Sequence, residues 1–235
     1  MIGRDALGIL EGFLQEIGER YVNTVIDGVD LGFSSIYCSY LSSVGYKGNV
    51  LLVDGGNTFN PYFVTRCCRL LSVDERRVLE RTRISRAFTC HQLSAILGRL
   101  EEMVKQVGSK VVVVTDPTYL YLERLGEERV LGEFVEAFRG LMTTTYRCRL
   151  TTLIVEVPRH PRVLHGDRSR HRRRIVGGLM ERVIREISDS VYILEKRDDR
   201  IVAVRVKHPF FPGGIATSIP TGPRELTLDE ALGAA

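Results

Sequence analysis

Four consecutive valines, Val111 to Val114, sit at the centre of a run from Lys110 to Thr115 that stops at Asp116-Pro117. An unbroken β-branched run has no alternating polar face, so it suits a strand covered on both sides, as in a parallel sheet. The pattern recurs in Asn49-Val-Leu-Leu-Val-Asp54, ended by Gly55-Gly56, and in Leu150–Val157. Parallel neighbours need crossovers, and helical spacing supplies them at Ser34–Leu41, Val64–Leu71, Asp74–Glu80, Leu93–Val107, Gly132–Thr145 and Ile175–Ile187. A short strand is expected at Thr82–Phe88. Two β-rich runs, Ser190–Glu195 and Ile201–Val206, close the pattern, with Asp198-Asp199 marking a hairpin turn.

Strands alternating with helices give an α/β fold, with a mostly parallel central sheet and an antiparallel C-terminal appendage. The 235 residues suit one domain, 1–235. Within it we expect a surface helix in 1–20, a basic loop at 158–174 and a Pro- and Gly-rich tail at 209–235. No apolar run reaches the roughly 18–20 residues of a membrane span, so a cytoplasmic chain with no membrane contact is expected. Five cysteines with no CxxC pair fit neither a disulfide framework nor a zinc module, and buried free thiols are the reading. No metal site is expected.

Charge is localised. Between Pro158 and Arg174 lie seven arginines, at 159, 162, 168, 170, 172, 173 and 174, against one acid, Asp167. The chain carries a net +4, so the rest of it is mildly acidic. Planar guanidinium donors suit phosphates, which makes Arg168, Arg170, Arg172, Arg173 and Arg174 the candidate DNA-binding residues. The segment has no aromatic side chain for base stacking, so phosphate contact is the expected mode. An acidic protein partner, or pairing with this chain's own acids, remains an alternative. His160, His165 and His171 have no thiol or acidic companions at metal-ligand spacing and read as polar loop residues. Only five of the 33 basic residues are lysines, a bias compatible with a thermophilic source or with base composition alone. Phe59-Asn60-Pro61 and Tyr119-Leu-Tyr121 read as half-buried strand-end residues, and His91-Gln92 as a helix-start packing pair.

Several segments resemble archaeal RadA-type recombinases, and together they span about residues 22 to 220. Val50-Leu-Leu-Val-Asp-Gly-Gly-Asn-Thr-Phe-Asn-Pro61 is similar to that family's strand and turn of Asp, Thr, Glu, Gly, Thr, Phe, Arg, Pro. Arg86-Ala-Phe-Thr-Cys-His-Gln92 resembles its Arg-Ala-Tyr/Phe…His-Gln segment, one residue shorter. Val111–Asp116 fits its Walker B strand, and Ala203–Gly214, with its His-Pro-Phe-Phe-Pro turn, its closing hairpin. The resemblance implies a RecA-like P-loop ATPase core with helices on both faces of the sheet, in a short paralogue lacking the long N-terminal DNA-binding domain. It also implies that the basic stretch corresponds to a DNA-contacting loop.

The departures fall on the chemistry. A phosphate loop needs Gly-x-x-x-x-Gly-Lys-Ser/Thr, and the matching stretch is Asp27-Gly-Val-Asp-Leu-Gly-Phe-Ser34. Gly32 and Ser34 persist, Phe33 stands where lysine belongs, and Asp27 and Asp30 add negative charge. The resemblance places the catalytic glutamate on Gly56 and the γ-phosphate-sensing glutamine near Val157. Gly32, Phe33, Ser34, Gly56 and Asp116 are thus the expected vestigial nucleotide site, with Asp54 and Asp116 as helix caps or remnants. The expected function is a non-hydrolysing, RadA-like accessory factor in DNA repair or recombination, with no cofactor. Its partners would be DNA, a recombinase or another repair protein, and other copies of itself. The alternatives are an ATPase with an unorthodox loop, in which Asp54, Asp116 and Ser34 hold ATP-bound magnesium, or an assembly scaffold without DNA contact.

Overall fold

The structure, a computed structural model, describes residues 14, 16–17, 20–29, 32–43, 45–124, 129–157 and 167–220, the side chains of 43, 167–176 and 219–220 excepted. The N-terminal helix expected in 1–20, residues 158–166 and the tail beyond 220 lie outside the described residues, apart from 14, 16–17 and 20.

Among the described residues eight strands form one sheet: β1 (Val22–Asp27), β2 (Asn49–Asp54), β3 (Thr82–Arg86), β4 (Ser109–Thr115), β5 (Thr151–Glu156), β6 (Ser190–Arg197), β7 (Arg200–Lys207) and β8 (Gly214–Pro220). Their order is β3-β2-β4-β5-β1-β6-β7-β8. The six strands from β3 to β6 run parallel, whereas β6–β7 and β7–β8 are antiparallel. The helices among the described residues are α1 (Phe33–Ser43), α2 (Pro61–Leu71), α3 (Glu75–Arg81), α4 (Cys90–Gly98), α5 (Leu100–Val107), α6 (Pro117–Leu122), α7 (Val130–Cys148) and α8 (Asp167–Ile187). This is the α/β architecture expected of a RecA-like core.

The alternation of each central strand divides its apolar side chains between two cores. Val50, Leu52, Val111, Val113, Leu153 and Val155 face the cluster built with α1 to α3. Leu51, Val53, Val112, Val114 and Ile154 face the cluster built with α4 to α8. Helices therefore cover both faces, which is why these strands tolerate no polar positions at their centres. Each fully buried Val, Leu or Phe contributes about 1.5–3 kcal/mol against its entropy cost. In the second core Phe134 meets Tyr121 edge-on, with ring centroids 5.0 Å apart, and stacks on Phe138 at 4.5 Å.

Several elements depart from the sequence reading. The amphipathic run Leu93–Val107 is two helices, broken at Arg99, whose φ of −102° and ψ of 10° lie outside the helical region. The helix expected from Ile175 begins at Asp167, so residues 167–174 of the basic stretch are helical backbone rather than loop. Part of the expected tail is strand β8, which pairs with β7. The thiol reading holds: Cys38, Cys67, Cys68 and Cys90 are buried and Cys148 is partly so, all unbridged. Burial pushes the Cys38 and Cys67 thiols up to about 12, which keeps them protonated and unreactive.

Candidate functional site

The carboxyl ends of parallel strands form the edge at which α/β sheets bind ligands. Along this edge β3 ends in Arg86, β2 in Asp54, β4 runs into Asp116, β5 ends in Glu156 and β1 in Asp27. Four acids and one arginine converge there. What each carboxylate binds decides what the edge can do.

Asp27 is fully buried, and its Oδ2 accepts a hydrogen bond from the Phe33 backbone N–H at 3.3 Å. Phe33 is the first residue of α1, so the protein's own carboxylate holds an amide at the positive end of that helix. That is the place where a phosphate-binding loop receives its anion. Gly32 precedes it with φ of +63°, and a Cβ there would lie 2.8 Å from the Phe63 ring, so an aromatic face packs against the loop. Phe33 points into the first core at 0% exposure, and Ser34 is buried beside it. Asp30 lies outside the described residues.

Asp54 is a hub rather than a helix cap. Its Oδ1 accepts from the Thr115 hydroxyl at 2.8 Å and the Thr58 amide at 3.0 Å. Its Oδ2 accepts from Arg86 Nε at 3.0 Å and the Phe59 amide at 3.4 Å. One buried carboxylate thereby ties β2 to β3, β4 and its own turn. These contacts satisfy a charge that would otherwise be costly to bury.

Asp116 occupies the N-cap position of α6 in the left-handed region, φ 48° and ψ 44°, but its side chain makes no cap hydrogen bond. The expected cap role belongs to Glu156. Its Oε2 accepts from the Thr118 hydroxyl at 2.7 Å and its Oε1 from the Thr118 amide at 3.3 Å. Burial first, and the neighbouring Asp116 charge second, raise the Glu156 carboxyl to about 8, while the Thr118 bonds oppose that rise. Gly56 lies against Asp116: a Cβ there would sit 2.5 Å from Asp116 Cβ and 2.6 Å from its Oδ2. No side chain fits at the position where the resemblance puts a catalytic glutamate.

The structure thus brings Gly56 and Asp116 into contact and sets Gly32, Phe33 and Ser34 at the end of β1, separated from β4 by β5. Arg168, Arg170, Arg172, Arg173 and Arg174 fall on the backbone of the first two turns of α8, and their side chains lie outside the described residues. Tyr119 is half-buried as expected, but Phe59 and Tyr121 are buried outright, and both tyrosines lie within α6, where Tyr121 packs into the second core. His91 is different from the expected packing residue. Its side chain is 48% exposed, with Nδ1 lying 3.1 Å from Glu133 Oε2 and Nε2 contacted by Arg124. Arg86 and Glu156 are the participants that sequence patterns left without a role. For Glu156 the available signal was a charged residue ending an otherwise uncharged strand, whereas Arg86 ends the polar strand Thr82–Arg86 and carried no such signal.

A comparison with known protein families finds no family model that matches this chain. No helix among the described residues is long and apolar enough to cross a membrane.

Proposed function

We propose that this protein is a RadA-like, non-hydrolysing accessory factor that binds DNA through its arginine-dense segment. The observation that carries the non-hydrolysing part is the Asp27 carboxylate at the Phe33 amide. A phosphate brought there finds that amide already held by the protein's own buried carboxyl oxygen. At ~4 Å and an effective dielectric of ~20, an ionised carboxylate at that position would repel a phosphate charge by about 4 kcal/mol, enough to cancel ordinary affinity. Phe33 supplies no ammonium group for the β and γ phosphates, and Gly56 has no room for a water-activating acid. The self-filled cradle favours this reading over an ATPase with an unorthodox loop.

DNA binding rests on the seven arginines between 158 and 174 and on the segment's likeness to a DNA-contacting stretch. Such binding is dominated by counterion release and weakens steeply with salt. The test is a fluorescence anisotropy titration with single- and double-stranded DNA across a salt series, with and without ATP. The parent protein is expected to bind with no response to ATP and no phosphate release. Arg172→Ala, Arg173→Ala and Arg174→Ala together should flatten the log–log salt slope by about 3. Absent DNA binding, or a slope untouched by the triple substitution, refutes the DNA part. ATP turnover abolished by Asp116→Ala refutes the non-hydrolysing part.

A further inference from the structure

On the face of the sheet covered by α4 to α8, three metal-ligating groups of different chemistry meet. Cys90 Sγ, a His91 ring nitrogen and a Glu133 carboxylate oxygen all lie within 4.8 Å of one another. Local structure fixes the first two. Thr89 is the N-cap of α4 and its hydroxyl accepts from the Gln92 amide at 3.2 Å, while Gln92 Oε1 accepts from the Phe88 amide at 2.8 Å. This reciprocal pair is close to a capping box, and it pins Cys90 and His91 as the first two residues of the helix. Glu133 stands opposite, in the first turn of α7.

The His91–Glu133 contact has the spacing of an ion pair without the geometry of a hydrogen bond. Glu133 Oε2 is buried and lies 3.1 Å from His91 Nδ1, yet it has no hydrogen-bond partner among the described residues. Two donors at ~2.1 Å from a tetrahedral ion stand about 3.4 Å apart, close to the spacing seen. The sulfur is buried while His91 is half-exposed, so an ion has a path in and a thiolate to meet at the bottom.

We infer that Cys90, His91 Nδ1 and Glu133 form a three-ligand site for a borderline-soft divalent cation of the zinc type, with a fourth position open to water or a partner's side chain. Thiolate, imidazole and carboxylate together select zinc or cobalt over magnesium and calcium, which prefer all-oxygen shells. The proton balance is explicit. The Cys90 thiol loses its proton to solvent as the sulfur–metal bond forms, and Glu133 enters as carboxylate. Without metal, Arg124 Nη1 donates to His91 Nε2 at 2.9 Å, so the ring proton sits on Nδ1. With metal on Nδ1 that proton moves to Nε2, where it faces the Arg124 donors. Dication, thiolate and carboxylate sum to zero charge, one proton is released per ion, and Arg124 must swing aside. Arg124 therefore opposes binding.

The test uses the full chain stripped with chelator and titrated with Co2+ alone, then with Zn2+ in competition, following absorption. A thiolate-to-cobalt charge-transfer band saturating at one ion per chain, and displaced by Zn2+, is expected. Cys90→Ser should abolish the band. His91→Gln and Glu133→Gln should each weaken binding by about 100-fold or more, since even outer partners of metal ligands are worth 10–100-fold. Arg124→Gln should tighten binding. Because Cys90 is buried and its serine variant could misfold, the two half-exposed ligands carry the test independently, with circular dichroism as the folding check. No band at saturating Co2+ overturns the inference. So does a band that survives Cys90→Ser in folded protein, or affinity unmoved by both His91→Gln and Glu133→Gln.

Discussion

Gly56→Ala probes the closed edge of the sheet most directly. The added Cβ would lie 2.5 Å from Asp116 Cβ, 3.0 Å from its Cγ and 2.6 Å from its Oδ2. Carbon pairs rest at about 3.5–4.0 Å, so roughly 1 Å of overlap must be relieved. Asp116 has little freedom to retreat. It is 2% exposed, its backbone is left-handed, and its N–H donates to Val155 O at 2.7 Å. The Gly56 side is also held, because the Gly55 N–H donates to Thr115 O at 2.9 Å. With both sides anchored, the upper part of the overpacking range applies, about 2–3 kcal/mol. For a chain of this size that lowers Tm by about 4–12 °C. Gly140→Ala is the internal control. Gly140 lies exposed within α7 with open space around it, so alanine there should stabilise by about 0.5–1 kcal/mol. Differential scanning calorimetry on the three proteins reads both effects. If Gly56→Ala melts within about 1 °C of the parent while Gly140→Ala rises, the steric argument is wrong. The same crowding says that Gly56→Glu destabilises the fold and does not create an ATPase.

Two further perturbations test the buried carboxylates. Glu156 is raised to about 8 in the folded state against an ordinary value of 4.5, so it binds more protons folded than unfolded between those limits. Its contribution to stability therefore falls as pH rises from about 4.5 to about 8 and is flat beyond. Glu156→Gln should remove that decline in a series of urea melts, and an unchanged pH slope would show that Glu156 is ionised throughout. Arg86→Ala leaves Asp54 buried with its Thr58, Phe59 and Thr115 donors but without its cation. Because Arg86 is itself 35% exposed, the loss should be about 1–2 kcal/mol rather than the 3–5 kcal/mol of a fully buried pair, and an unshifted urea midpoint would refute it.

Strands β2, β4 and β5 were legible because sandwiching between two helical layers demands apolar residues on both faces, and that demand is written in consecutive positions. Helices α2 and α7 were legible because one-sided burial leaves a 3.6-residue period. The break at Arg99 was not, since Leu100 and Val104 continue an apolar stripe that does not reveal a change of axis. Strand β8 was hidden for another reason: Gly214–Pro220 becomes a strand only because β7 offers it an unpaired edge.

Sequence alone determined the α/β class, the phenylalanine at 33, the glycine at 56 and the concentration of arginine in one segment, all properties of residue identity and near-neighbour order. Only the tertiary structure decided that Asp27 fills the head of α1, that Glu156 rather than Asp116 holds α6, and that Cys90, His91 and Glu133 converge. Asp27 and Phe33 are six residues apart, Glu156 and Thr118 thirty-eight, and His91 and Glu133 forty-two. Apart from the first, a local turn, these contacts are made when strands stack side by side and helices pack across them. Hydrogen bonds and ion pairs at that separation in sequence leave no periodic trace, because each needs a single donor or acceptor at a single position.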